Sequence, residues 1–488
     1  MCIMAAMNKS MIFSLKTGNV KGGIREMVDI AVPMVVSQAC YTIMTFTDRV
    51  FLSKLGPEYM NAAMVGGLTV FMMMTFFMGL IGYTTAVVAQ HFGAGNKERC
   101  SVTLTQAVIL SFAAAPIVFL CRPLAYWLFE LVGIEPSQLA LQKIYFNILI
   151  CASIIPLLRW AFSAFFSGVG KTKAVMISAL TAMTVNIGMN YMLIFGKFGF
   201  PALGIRGAAY GTIIGGLSGL VVLFANYFGR ENFKIFNVAG SFRFDREVMG
   251  TLLRFGYPAG LEFFLNLLAF DLIVMIFHSA GAVAATASTI VFNWDMVSFV
   301  PLIGVQVGVT SLVGRYMGSG NADIAEKATG SGFKLGMVYS AIIFVLFAGF
   351  PGYLAGFFAP NSGDGVFAAA LPTTIFMIRL ASIYVLAEAV FVVFIGALRG
   401  AGDTLWAMFI SVSLHWVLVP VLFFMLKVSN AGLETAWKVV VGLFLLFSGF
   451  VYLRYRSGKW RTITMLKQPP LVPVAQVVAD DFHEISDL

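Results

Sequence analysis

Twelve stretches of the chain run almost free of charge, at roughly 28–52, 62–90, 102–128, 139–166, 173–196, 205–228, 250–278, 283–313, 333–358, 368–398, 405–426 and 433–453. At ~1.5 Å rise per residue each is long enough as a helix to cross a hydrocarbon layer about 30 Å thick. Gly, Pro or charge bounds each run. The runs are too long, and too rich in Leu, Met, Ala and Phe, for the alternating pattern of a barrel strand. The pattern predicts an all-α polytopic membrane protein of about twelve transmembrane helices.

The same pattern occurs twice. Pro33 matches Pro258, Leu55-Gly56 matches Ala280-Gly281, and Gly93-Ala94-Gly95-Asn96 matches Gly318-Ser319-Gly320-Asn321, all at a spacing of 225. A later landmark, Gly168-Val169-Gly170-Lys171-Thr172, answers Gly400-Ala401-Gly402-Asp403-Thr404 at 232. An even number of helices per copy keeps both copies in one orientation, so six were duplicated. This divides the chain into a cytoplasmic N-terminal segment (1–24), an N-lobe (25–228), a basic, Phe-rich cytoplasmic linker (229–246), a C-lobe (247–456) and a tail (457–488) with Pro469-Pro470 and an acidic end, expected to be disordered.

Charge adds orientation. Of 488 residues, 59% are hydrophobic and 11% charged, against about 25% charged in a soluble domain. With the N-terminus in the cytoplasm, 22 of the 32 Lys and Arg fall on the inner side, as the positive-inside rule requires, with both termini cytoplasmic. The net charge of +9 reflects that topology. The basic residues are scattered over alternate loops and form no nucleic-acid face. Met1 to Met7 is too short for a cleaved signal, so insertion begins with the first long run. The five cysteines include no C-x-x-C pair and read as small packing residues, and the four histidines have no metal spacing. Gly168-Val169-Gly170-Lys171-Thr172 lacks the first glycine of a phosphate-binding loop, since position 165 is Phe, so no ATP site is expected. Gly211, Gly215 and Gly219 make a small-residue face for close helix packing.

The candidate chemistry lies in acids placed inside hydrocarbon, where an ionised carboxylate costs roughly 2.5 kcal/mol or more. Glu262 and Glu388 stand eight and eleven residues in from Arg254 and Arg399, at ~12 and ~16 Å from the cytoplasmic side. Asn266 and Tyr384 lie one turn from them on the same helix faces. The four side chains offer oxygen ligands, and we expect them to form a site for Na⁺ or H⁺. Ser37 and Pro156 occupy the corresponding places in the first half, so both acids belong to the second alone. The competing reading pairs each acid with a buried base such as Arg379. Asp48, with Asn186 and Asn190 one turn apart, makes a second proton or substrate site in the N-lobe, set against a satisfied structural acid. Asp271, His278, Asn293, Asp295 and Arg379 are candidates for lining the same cavity, the acids and His278 alternatively for closing its outer end. Met and aromatic side chains suit cations of variable shape.

At these residues the chain, over about 25–455, resembles the multidrug and toxic compound extrusion (MATE) transporters, NorM-like branch. The resemblance rests on Pro33 with Asp48 and Leu55-Gly56, on Val88-Ala89-Gln90-His91-Phe92-Gly93-Ala94-Gly95, on the stretch Asn186 to Ala209, and on Leu398-Arg399-Gly400 before Asp403-Thr404. It implies two six-helix lobes around a V-shaped cavity in the plasma (inner) membrane. It also implies a transporter, not an enzyme, acting as a monomer by alternating access. Cationic or amphipathic drugs would leave in exchange for Na⁺ or H⁺, with no other cofactor. It places Glu262 on the family's glutamate of the seventh helix, Tyr384 and Glu388 on the Tyr and Asp of the tenth, and Asp48 on the aspartate of the first. Glu388 departs from that branch's Asp by one methylene. The runners-up are a flippase for lipid-linked precursors, which would need basic residues in its cavity, with Arg159 and Arg379 as candidates, and a channel, for which no pore loop interrupts the helices.

Overall fold

The computed structural model describes residues 20–131, 136–359, 365–429 and 431–466. In chain order the helices are α1 (Ile24–Ser53), α2 (Pro57–Gly82), α3 (Thr84–Gly93), α4 (Lys97–Leu120), α5 (Arg122–Leu131), α6 (Pro136–Cys151), α7 (Ile154–Gly168), α8 (Thr172–Phe195), α9 (Ile205–Tyr227), α10 (Arg230–Ile235), α11 (Arg246–Ser279), α12 (Ala282–Gly318), α13 (Ala322–Gly349), α14 (Pro351–Gly356), α15 (Gly365–Ala401), α16 (Thr404–Phe423) and α17 (Leu433–Arg456). Among the described residues eleven spans are long and apolar enough to cross a membrane, and the pair α6 and α7, bent by 49°, completes a twelfth. The predicted run 62–90 is a single span broken at Tyr83 between α2 and α3.

The landmarks of the repeat are the places where helices stop. Gly95 and Gly320, 225 apart, have φ of +78° and +77°, and Gly170 and Gly402, 232 apart, have +81° and +99°. A left-handed residue lets the next amide turn back on the helix: Asn96 N–H donates to His91 O (2.9 Å) and Asn321 N–H to Tyr316 O (2.8 Å), capping α3 and α12 in the same way. Pro33 and Pro258 sit inside α1 and α11. Asp245 starts α11 by accepting from Glu247 N and Val248 N, both at 3.0 Å, which satisfies two amides that a helix start leaves open.

The lobes meet at the membrane face where α1 begins, α12 ends and the chain leaves α17. Their contacts obey the duplication. A Cβ on Gly93 would lie 1.8 Å from Arg315 O, and one on Gly318 would lie 2.0 Å from Gln90 O; residues 93 and 318, and 90 and 315, exchange under the 225 shift. Likewise a Cβ on Gly79 would be 2.7 Å from Gly260 Cα, and one on Gly304 would be 2.8 Å from Val35 Cα. At equivalent positions Gln90 Nε2 donates to Gly400 O (2.9 Å) and Arg315 Nη2 to Val169 O (3.1 Å), each reaching the opposite lobe's Gly-x-Gly turn. A pseudo-two-fold axis therefore runs through this seam, and glycine is what lets the backbones touch there. Ion pairing adds to it on one side, where Arg315 lies 3.6 Å from Glu26 and Tyr316 Oη donates to the same carboxylate (2.7 Å).

The linker 229–246 packs against the N-lobe: Phe236 and Val238 are buried, Ser101 Oγ donates to Phe236 O (2.6 Å) and Gln106 Nε2 to Arg243 O (2.9 Å). The chain after 457, expected to be disordered, is ordered to 466. Trp460 is buried and stacked on Tyr455, Arg461 pairs with Asp323 and Glu326, and Met465 inserts into the N-lobe core beside Tyr83, whose Oη donates to its Sδ (3.1 Å). Apolar side chains at 460, 463 and 465 carry the segment across the seam. Positions 467–488 lie outside the described residues.

Candidate functional site

Each lobe holds one buried acidic network, at a different place. In the N-lobe Asp48 is buried on α1, facing α8 and α9. Asn190 Nδ2 donates to its Oδ1 and Thr212 Oγ1 to its Oδ2, the latter at 3.3 Å; Asn190 Nδ2 also reaches Asn186 Oδ1 at 3.4 Å. The predicted trio Asp48, Asn186 and Asn190 is brought together, and Thr212 joins it. The small-residue face of α9 is the reason the network fits: a Cβ on Gly211 would lie 1.9 Å from Asn190 Oδ1, and one on Gly215 would lie 2.7 Å from Asn186 Cβ. Asn190 Oδ1 is buried with no hydrogen-bond partner.

In the C-lobe the two expected acids, Glu262 and Glu388, have different partners. Glu262, on α11, is 3% exposed at its side chain and lies 2.8 Å from Arg399 Nη2 of α15. The contact is close but not aligned as a hydrogen bond, because Glu262 Oε2 has no hydrogen-bond partner, so the attraction is Coulombic. Arg399 lies eleven residues beyond Glu388 on α15, roughly 16 Å of axial rise. Glu262 is thus matched by a base, and that base is Arg399, not Arg379. Ser37 and Ser167 hold the corresponding places of the N-lobe, so neither the acid nor the arginine has a counterpart there. Asn266 stays near Glu262, where its Nδ2 donates to Ser411 Oγ of α16 (2.7 Å), and His415 of the same helix is within electrostatic reach of Glu262.

The acid within electrostatic reach of Glu388 is Asp295 of α12. Tyr384, one turn before Glu388 on α15, donates its hydroxyl to Asp295 Oδ1, and Tyr339 of α13 is within electrostatic reach of Glu388. Tyr384 and Glu388 are 3% and 5% exposed; the tyrosine ring packs against Trp437 and Phe444 of α17. Glu388 Oε2 is buried with no hydrogen-bond partner. Two carboxyls and a phenol from two helices, α12 and α15, thus share one polar site, half-buried on the Asp295 side. An ionised acid without a partner at this depth is unfavourable, so a carboxyl here is favoured neutral or matched by a cation.

The remaining candidates stand apart. Asp271 is half-buried, and among the described residues no hydrogen bond or ion pair engages its side chain. His278 contacts Thr289 Oγ1 (3.0 Å), and Asn293, exposed, donates to Thr289 O (2.8 Å). Arg379 is exposed, with no acid paired to it among the described residues. Sequence reasoning missed Thr212, Ser411 and Tyr339. Only Thr212 carried a signal, since it directly follows Gly211 on the small-residue face.

The MatE family profile matches residues 33–192 and 258–425, one match in each lobe. The chain is 27% identical over 449 residues to a Thermotoga maritima protein named "Probable multidrug resistance protein NorM", covering 91% of this chain and 94% of that one. It is 24% identical over 405 residues to the Pseudomonas aeruginosa multidrug resistance protein PmpM, covering 81% and 82%. In fold it is similar to a multidrug resistance MATE family transporter solved in an outward-facing conformation, with a TM-score of 0.82 at 19% identity over 90% of this chain and 97% of that one. It is equally similar to a MOP superfamily transporter from Pyrococcus furiosus, with a TM-score of 0.81 at 19% identity and the same coverage. The duplicated lobes, the glycine seam and the paired profile matches have one common source: the chain belongs to the MatE family of multidrug and toxic compound extrusion transporters.

Proposed function

We propose that this chain is a secondary antiporter of the plasma (inner) membrane, with both termini cytoplasmic, exporting cationic or amphipathic drugs in exchange for Na⁺ or H⁺. The observation that carries the reading is the Glu388, Asp295 and Tyr384 cluster, with its buried, unpartnered Glu388 Oε2. A cation entering between the two carboxyls removes their mutual repulsion and releases Tyr384 from Asp295, which changes how α12 and α15 pack. Helix α12 also forms the seam through Gly304, Arg315 and Gly318, so occupancy of the cluster has a mechanical route to closure of the lobes. Asp48 with Asn190 and Thr212 is the N-lobe counterpart, a proton or substrate site of the same kind. The seam lies at the face bearing both described chain ends, and the distant halves of α1 and α12 expose Tyr41, Phe46 and Met296, which supports a cavity open to the opposite side. Names of relatives that speak of multidrug resistance support the substrate class.

The test is gradient-driven efflux of a cationic dye from proteoliposomes under an imposed pH or Na⁺ gradient. Asp295→Asn and Glu388→Gln should each lower gradient-driven efflux at least about tenfold, the value of a coupling free energy near 1.4 kcal/mol, with the gradient that still matters naming the ion. Unchanged efflux in both variants would remove the cluster from the mechanism.

A further inference from the structure

A groove of about 520 Å³ opens on the outer surface of the C-lobe between α16 and α17, a size at which small-ligand sites occur. Its walls are Trp406, Phe409, Phe447, Phe450 and Leu453, and its rim, at the face of the seam, carries Arg454 and Lys459. Four of the wall residues, Trp406, Phe409, Phe450 and Leu453, are exposed and so face the acyl chains of the surrounding bilayer.

The rim is built. Asp403 takes Arg454 Nε at 2.7 Å, and the guanidinium lies over the Trp406 ring at 4.8 Å. Those two contacts fix its plane, and among the described residues no hydrogen bond engages the two Nη groups. Gly458, in the left-handed region at φ +70°, ends α17 and folds the chain back, so that Lys459 joins the same rim. Lys459 is exposed, and among the described residues nothing pairs with its ammonium. An oriented arginine fork beside a free lysine is a receptor for a phosphate, and basic pockets between transmembrane helices bind anionic headgroups.

From this we infer that the groove between α16 and α17 is a binding site for an anionic phospholipid of the membrane, its phosphate on Arg454 and Lys459 and one acyl chain along the aromatic wall. The site lies outside both acidic networks. Its closeness to Asp403 and to the root of the segment that crosses the seam joins lipid occupancy to the closed side of the transporter.

The experiment uses the full-length protein in neutral detergent, with palmitoyl-oleoyl phosphatidylglycerol and phosphatidylcholine of the same chains added at equal concentration and bound lipid counted by native mass spectrometry. Phosphatidylglycerol should bind at least about fivefold more tightly. Lys459→Gln should lose about fivefold of that preference, the value of one basic charge at a membrane surface. Ser413→Trp should fill the groove and weaken both lipids. Should that variant fail to fold, Lys459→Gln still decides, because Lys459 holds nothing else. Equal binding of the two lipids, or an unchanged preference in Lys459→Gln, overturns the site. So does competition by glycerol phosphate at the lipid's own concentration, since that ligand has no acyl chain for the groove.

Discussion

Adding one methyl at the centre of the seam tests whether backbone contact between the lobes sets the conformational equilibrium. In Gly93→Ala the new Cβ would stand 1.8 Å from Arg315 O, where ordinary contact begins at 3.4 Å, so α3 and the end of α12 must part by about 1.6 Å. Neither atom belongs to a flexible side chain, and close-packed interfaces answer such overpacking with a cost of about 1–3 kcal/mol. On the alternating-access cycle proposed above the penalty falls on the closed side alone, so the closed-to-open ratio should drop by roughly 5- to 150-fold. Gly318→Ala, its repeat equivalent against Gln90 O at 2.0 Å, should behave the same way. Gly330→Ala on α13 is the control, with nothing within 4 Å of the added carbon. Hydrogen-exchange mass spectrometry in nanodiscs reads the outcome directly. Amides of 84–93 and 311–318 should exchange at least about fivefold faster in both seam variants and not in the control. Native protection with native efflux in Gly93→Ala would refute the claim that the glycine crossing holds the lobes together.

Glu262→Gln should leave Arg399 half-buried without its counter-charge and lower stability by about 1–3 kcal/mol, less than for a fully buried pair because a quarter of the arginine side chain is exposed. The double variant with Arg399→Gln should recover part of that loss in thermal unfolding, whereas a free coupling acid at 262 would show no such rescue. Gly211→Ala should push Asn190 off Asp48 and reduce efflux while leaving α8 and α9 helical by circular dichroism, as should Thr212→Val to a smaller degree, about 1 kcal/mol for one hydrogen bond. Ending the chain after Thr462, or Met465→Asp, should withdraw the segment from the N-lobe core and raise exchange around Tyr83, with Tyr83→Phe giving a weaker form of the same change.

The fold was legible because hydrocarbon imposes one rule on every residue at once. A helix that spans it must be apolar for some twenty residues, and a duplicated chain repeats its stops, so Gly95 and Gly320 announced matching turns before any coordinates. The N-lobe network was legible too, since Asn186 and Asn190 share a helix face by spacing alone. The C-lobe site was not. Depth along a helix gave Glu262 and Glu388 similar levels, but which carboxyl meets which depends on rotation about the helix axes, and 3.6 residues per turn leaves that undetermined between separate helices. Arg399 misled for a related reason. Counted as a cytoplasmic charge, it instead sends its long side chain back along the helix to Glu262, in the N-terminal direction in which helical side chains lean.

The duplication explains why these two kinds of feature part company. Contacts that must close and open on both sides of the axis are constrained by each other, since a change in Gly93 alone would spoil a crossing whose other half is Gly318. Those positions stay matched at 225. The acids carry no such constraint. Asp295 and Glu388 have Val70 and Pro156 in the equivalent places, and Asp48 has Ile273, so each lobe acquired its own polar interior on a shared mechanical frame. For the exchange proposed above, that arrangement offers a symmetric hinge that either lobe's occupancy can bias, and two chemically different interiors, so that ion and drug need not compete for one set of ligands.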